Sequence, residues 1–223
     1  MSLVLQEVLS AEDLARVRAE LSEIAFVSGK RTAGAAARGV KDNLQADGSD
    51  ARVKELERFV ADALYRHPLF EIAARPVRLS RLLFSRYEPG MTYGAHTDDA
   101  LMGRGEDKLR TDLAFTIFLA DASSYEGGEL VVESALGEQG IKLEAGDAIL
   151  YSAGSIHHVA PVTSGVRLAA VGWIQSFVAD ATQRETLFDL SVARGRLAEA
   201  GVAREELLRL DKSISNLLRM WAR

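Results

Sequence analysis

The chain has 223 residues, 48% of them hydrophobic and 26% charged, with a formal net charge of -5. This is the balance of an ordinary globular protein of one large domain or two small ones, and the excess negative charge disfavours broad electrostatic binding to nucleic acid or anionic membrane. Cysteine is absent, which excludes disulfides, thiolate zinc sites, iron–sulfur clusters and cysteine nucleophiles.

Any transition-metal site must then draw on four histidines, His67, His96, His157 and His158, together with carboxylates. No apolar run approaches the roughly 20 residues that span a bilayer. Residues 1–7 carry neither a basic stretch nor a signal-like apolar core. The expectation is a cytoplasmic protein.

The first quarter reads as helical. Ser10-Ala11-Glu12-Asp13 has the serine and following acid of a capping box, and Leu14, Val17, Leu21 and Ile24 recur at helical spacing. Residues 28–50, rich in Gly, Ala and polar side chains, read as loop. Within it Lys41, Asn43 and Gln45 are candidates for a lid over a substrate mouth, because loops often carry recognition on a rigid scaffold. Val53, Leu56, Val60 and Leu64 mark a second helix that ends before Pro68. His67 is expected to cap a helix or lie on the surface.

From Val77 the period becomes strand-like. Val77–Tyr87 reads as one strand, followed by the apolar run Asp112–Ala120 and several short segments up to Phe177. Short strands with frequent turn signals predict a sandwich or barrel. After Ala179, leucines spaced among charges predict helices covering the β core, or a partner's core in a homodimer.

His96 and Asp98 stand two residues apart in Tyr93-Gly94-Ala95-His96-Thr97-Asp98, so extended chain turns both side chains to one face. His157, on a later strand, supplies a third ligand. Two histidines and a carboxylate make the facial triad of non-haem Fe(II) oxygenases, which leaves positions open for co-substrate and O₂. Only one of His157 and His158 can face the metal, because strand neighbours point to opposite sides. Arg167 lies in the apolar strand Val166–Val171 and needs an anionic partner; a dicarboxylate would serve, since Arg binds carboxylate bidentately. Zinc in the same triad would suit a water-activating hydrolase, but that leaves Arg167 without a role. A non-catalytic sensor of iron or 2-oxoglutarate is a further alternative.

These residues carry a family resemblance. His96-Thr97-Asp98, His157 and Arg167 look like the iron- and 2-oxoglutarate-dependent dioxygenases. Phe84-Ser85-Arg86-Tyr87, Arg110-Thr111-Asp112-Leu113, Tyr125-Glu126-Gly127-Gly128-Glu129-Leu130, Pro161–Arg167, Trp173-Ile174-Gln175-Ser176 and Lys41-Asp42-Asn43-Leu44-Gln45 resemble the bacterial PKHD-type (prolyl 4-hydroxylase-like) hydroxylases over nearly the whole chain.

The resemblance implies an α+β fold: a double-stranded β-helix (jelly roll) of about residues 77–178, with flanking helices. The dioxygenase domain would span 1–178 and a helical extension 179–223. It implies Fe(II) held by His96, Asp98 and His157, with the spacing to Arg167 favouring His157 over His158. It implies 2-oxoglutarate held by Arg167, with a hydroxyl from Tyr87. Arg110 and Trp173 are weaker candidates. The implied reaction is hydroxylation of a small-molecule or peptide substrate with O₂, releasing succinate and CO₂. L-ascorbate is the implied reductant, and some members are linked to iron or siderophore uptake.

Overall fold

The computed structural model describes residues 2–34 and 37–223. The N-terminal part runs β1 (Leu3–Leu5), α1 (Ala11–Ser22), β2 (Phe26–Ser28), β3 (Lys41–Asp42), β4 (Leu44–Ala46), α2 (Ala51–Arg66) and α3 (Pro68–Ala74). The β-rich part follows as β5 (Pro76–Leu79), β6 (Leu83–Tyr87), β7 (Thr92–His96), β8 (Leu101–Met102), β9 (Leu109–Arg110) and β10 (Leu113–Phe118). It continues with β11 (Tyr125–Gly127), β12 (Leu130–Ser134), β13 (Gly137–Ile141), β14 (Ala148–Ser152), β15 (His157–Val159), β16 (Val162–Gly165) and β17 (Arg167–Ser176). Helices α4 (Ala181–Glu199) and α5 (Arg204–Trp221) close the chain.

Two antiparallel sheets form the β core. An eight-stranded sheet has the order β1-β14-β10-β17-β6-β4-β2, with β5 also paired to β17, and a five-stranded sheet has the order β13-β12-β15-β7-β3. Facing sheets of antiparallel strands around a central space, flanked by helices, make the α+β jelly roll expected from the sequence.

The continuous apolar run of β10 has a simple cause: both faces of the larger sheet are covered. Leu113, Phe115 and Ile117 pack with Val17, Leu21, Val60 and Leu64 of α1 and α2. Ala114 and Phe118 turn to the opposite face and join Leu130, Val132, Ile149 and Tyr151 between the sheets. Strand periodicity thus assigns alternate residues to the helix layer and to the interior where the site lies.

Local signals set the helix ends. Ser10 and Asp13 form a reciprocal capping box at α1. His67 accepts at Nδ1 from the Leu69 amide (3.3 Å), capping α3, and its Nε2 lies 3.1 Å from the Gln6 carbonyl. Helix α4 buries Leu187 completely, and Ser191 Oγ accepts a hydrogen bond of 2.8 Å from Arg75. Helix α5 packs on α4, joined by the Arg194–Asp211 ion pair at 2.9 Å, and buries no residue fully.

Two expectations need correction. Residues 28–50 are not a loop: β3 joins the smaller sheet beside β7 and β4 joins the larger sheet beside β6. Ala35 and Ala36, inside that stretch, lie outside the described residues. The segment Val77–Tyr87 is not one strand. Ser80, Arg81 and Leu82 separate β5 from β6, and both strands pair along the same edge of the long β17. The period of two is in fact lost at Ser80-Arg81, two adjacent polar residues, and that interruption marks the bend.

Candidate active site

Between the sheets lies a cavity of about 1520 Å³. His96 ends β7 and His157 begins β15, and the two are direct cross-strand partners. Their ring centroids are 4.3 Å apart. Asp98, two residues beyond the end of β7, brings Oδ2 to 3.9 Å from His157 Nε2. One ligand atom from each of His96, Asp98 and His157 lies within 4.8 Å of the others. His158 is the next residue of β15, pairs with Val131 and is not part of this group.

Both imidazoles are oriented by the backbone. His96 Nδ1 lies 2.8 Å from the Gly94 carbonyl, and His157 Nδ1 lies 3.0 Å from the Ser155 carbonyl. A carbonyl can only accept, so each Nδ1 carries the proton and each Nε2 keeps its lone pair. The rings are also packed: Tyr93 stacks on His96 at 3.7 Å between centroids, and Tyr151 meets His157 edge-on at 5.2 Å. Carbonyls that fix tautomer and ring orientation are the usual outer support of a metal-bound histidine.

The electrostatics fit a divalent cation. Burial lowers the pKa of His96 to about 4, with the neighbouring His157 adding to the shift. Burial raises that of Asp98, against the opposing pull of His157. Asp98 Oδ2 is buried without a hydrogen-bond partner, and so is the Trp173 indole N–H nearby. Neutral imidazoles beside a buried carboxylate oxygen that makes no hydrogen bond of good geometry are poorly satisfied by protein alone. A hard-to-borderline metal ion would supply the missing charge.

Arg167 opens β17 directly opposite Tyr87 on β6. Only 1% of Arg167 is exposed, and its Nε has no hydrogen-bond partner. Its guanidinium lies 5.1 Å from the Tyr87 ring centroid and 5.6 Å from that of Phe118. Tyr87 is buried, which raises its hydroxyl pKa, while the Arg167 charge pulls the other way. Gly128 makes room for this arginine: a Cβ there would sit 3.1 Å from Arg167 Cδ, and its φ of +67° favours glycine. The result is a buried cation held in aromatic surroundings and open to the cavity.

Of the weaker candidates, Trp173 lines the cavity on the same strand face as Arg167. Arg110 does not serve as a free cation. It forms a two-pronged ion pair with Asp112 at 2.7 and 2.9 Å and donates to the Ser176 carbonyl at 2.9 Å. Lys41, Asn43 and Gln45 are not on a mobile cover: all three are buried in the cavity wall. Burial lowers Lys41 to about 8, opposed by the Asp98 charge. Sequence reasoning missed Tyr151, whose burial raises its hydroxyl pKa, and Tyr125, whose buried hydroxyl has no partner. An aromatic in a strand carries no mark that tells core packing from site lining.

Residues 82–175 match the 2OG-Fe(II) oxygenase superfamily, so the fold and the site define an Fe(II)- and 2-oxoglutarate-dependent oxygenase. At finer level, the chain is 49% identical to a PKHD-type hydroxylase of Acaryochloris marina, with all of both chains covered. It is also 49% identical to one from Picosynechococcus sp., covering 97% of each. The chain belongs to the PKHD-type hydroxylases. Among solved structures, a prolyl hydroxylase from Trichoplax adhaerens, in complex with a hypoxia inducible factor oxygen degradation domain peptide fragment, superposes with a TM-score of 0.59 at 14% identity. That comparison covers 85% of this chain and 86% of the other, and it speaks for the shared fold. The enzyme is a dioxygenase that uses Fe(II) and 2-oxoglutarate. Among the described residues, no helix is long and apolar enough to cross a membrane.

Proposed function

We propose that this enzyme hydroxylates a small-molecule or peptide substrate, with His96, Asp98 and His157 holding Fe(II) and Arg167 and Tyr87 holding 2-oxoglutarate. The observation that carries the reading is the pair of unmet demands at the two ends of one cavity. At one end two Nε2 lone pairs converge with an unpartnered carboxylate oxygen. At the other a buried arginine has no partner at Nε. A metal ion and a dicarboxylate answer both.

Bound there, Fe(II) with 2-oxoglutarate and O₂ supplies the oxidising power for hydroxylation, with succinate and CO₂ as co-products and L-ascorbate as the supporting reductant. The chain's own work is positioning. His96 and His157 present Nε2 because Gly94 and Ser155 hold their Nδ1 protons. Asp98 offsets part of the metal charge, which leaves the loaded site attractive to an anionic chelator. Arg167 would hold the far carboxylate, with the Tyr87 hydroxyl available beside it. Tyr151 and Trp173 line this interior, and Phe118 packs beside the Arg167 guanidinium. The same reading keeps residues 1–178 as the catalytic domain and 179–223 as a helical extension, and a role in iron or siderophore uptake is the physiological setting it suggests.

The test is oxygen-dependent succinate release from 2-oxoglutarate by the Fe(II)-loaded enzyme. Succinate formation supports the reading. Tight 2-oxoglutarate binding with no succinate under any added extract would make the protein a sensor instead. Zinc-dependent hydrolysis without O₂ consumption would make it a hydrolase.

A further inference from the structure

A third polar wall of the cavity has no part in the roles assigned above. The β3–β4 segment crosses from the smaller sheet to the larger, pairing with Tyr93 and Thr92 on one side and with Arg86 and Ser85 on the other. Strand alternation sends Lys41, Asn43 and Gln45 to the same face, and each is at least 95% buried along the cavity lining.

Their polar atoms are unequally satisfied. Gln45 Oε1 accepts from Thr32 Oγ1 at 2.7 Å, and Thr32 Oγ1 accepts from Lys41 Nζ at 3.2 Å. Asn43 has neither partner: no hydrogen bond of good geometry reaches its buried Oδ1 or Nδ2, although the Tyr87 hydroxyl lies beside it. The fold makes room for this amide. A Cβ on Gly29 would fall 1.9 Å from Asn43 Oδ1. A buried amide without partners costs roughly 1–3 kcal/mol, so its retention beside a cavity points to a ligand group.

Charge identifies that group. Among the described residues Lys41 forms no ion pair, and its ammonium donates to the Thr32 hydroxyl. One hydroxyl partner for three N–H donors leaves a buried ammonium short of a counter-charge. Lys41 Nζ also lies 4.9 Å from the Tyr93 ring, a contact too weak to replace an anion. At the mouth, Arg31, Arg38 and Arg104 are exposed and line the same cavity, outnumbering the acids Asp99 and Glu106. The opening is therefore basic on a chain whose net charge is -5, and such a cleft gathers anions. One buried ammonium and one amide match a single negative charge.

We infer that Lys41 and Asn43 form the specificity wall of the enzyme and bind a carboxylate of the substrate to be hydroxylated. The ammonium pairs with the carboxylate, and the Asn43 Nδ2–H donates to its second oxygen. Gln45 and Thr32 hold Lys41 in place. This deepens the oxygenase reading and rests on it, because it assigns Arg167 to 2-oxoglutarate and Lys41 to the other reactant.

The experiment uses the full chain loaded anaerobically with Fe(II) and saturating 2-oxoglutarate. Calorimetry compares N-acetylglycine with N-acetylglycinamide, which share a skeleton and differ in charge. The acid is expected to bind at least about tenfold more tightly than the amide, the scale of one hydrogen-bonded charge. Lys41→Met and, separately, Asn43→Leu should each reduce that preference. Binding of neither probe, equal binding of both, or an undiminished preference in both variants overturns the inference. So does a tenfold loss of 2-oxoglutarate affinity in Lys41→Met, which would move Lys41 to the co-substrate site. Should both variants fail to fold, the comparison in the native chain still decides on the charge of the ligand. Succinate release by the same preparation tests the oxygenase reading separately.

Discussion

The two ends of the cavity are built on opposite strategies. At the His96–Asp98–His157 end, backbone carbonyls fix both rings before any ligand arrives. At the Arg167 end, aromatic rings surround a charge whose Nε is left unbonded. The first end is geometrically finished around three converging ligand atoms. The second is charged in advance, with a guanidinium nitrogen left free of protein partners. Orientation by hydrogen bonds suits a metal, whose bonds are short and directional. A cation kept dry in aromatic surroundings suits a carboxylate, where charge and a planar fork provide the recognition.

The comparison can be broken first at the metal end. His157→Ala should lower Fe(II) affinity at least about 100-fold, beyond the effect of losing an outer-shell contact, and abolish succinate release. His158→Ala should leave Fe(II) affinity near native, because His158 faces away. Metal-binding titrations on the two variants check this, and a loss in His158→Ala comparable to that in His157→Ala would reassign the ligand.

The anion end makes a different demand. Arg167→Met should weaken 2-oxoglutarate binding by roughly 30-fold or more, equivalent to at least about 2 kcal/mol for a buried charge partner. Yet the metal-free variant should melt no lower than the native chain, since an unpaired buried charge stabilises little. Thermal melts with and without 2-oxoglutarate separate the two effects. A large loss of stability without ligand would show that Arg167 is structural.

Gly29→Ala probes the wall between the ends. Its Cβ would displace the Asn43 amide, costing about 1–3 kcal/mol by overpacking, with Fe(II) affinity unchanged. Chemical denaturation together with metal titration reads both quantities.

A last check on the metal end is its dependence on pH. His96 titrates near 4 in the fold and near 6.5 when unfolded. Between those values the unfolded chain binds more protons, so the metal-free protein loses stability as pH falls from about 6.5 towards 4. His96→Leu should flatten that slope in melts taken across this range. An equal slope in both proteins would remove His96 as its source.

Much of the site was legible because its geometry is local. The two-residue spacing of His96 and Asp98 is enough to put both on one face of an extended chain. Arg167 stood out because a charge inside an apolar strand needs a partner. The apolar run of β10 and the short segments up to Phe177 announced sheet, and the capping box announced the first helix. Other features were not legible, for reasons that are equally physical. Lys41, Asn43 and Gln45 look like a solvated loop, since polar side chains and short strands give no apolar pattern. Only the pairing of β3 with β7 and β4 with β6 makes them a buried wall.

The amino-acid sequence by itself determined the kinds of ligand this protein offers: imidazole and carboxylate without thiolate, and one arginine in an apolar strand. It determined the strand and helix periods that build an α+β jelly roll. Only the tertiary structure decided which histidine of the pair 157–158 turns inward, because neighbouring strand residues are equivalent until a register is chosen. Cross-strand pairing of His157 with His96 and Val132 makes that choice. The tertiary structure also decided that Lys41 and Asn43 line the cavity, because burial is a property of what lies on the other side of a side chain.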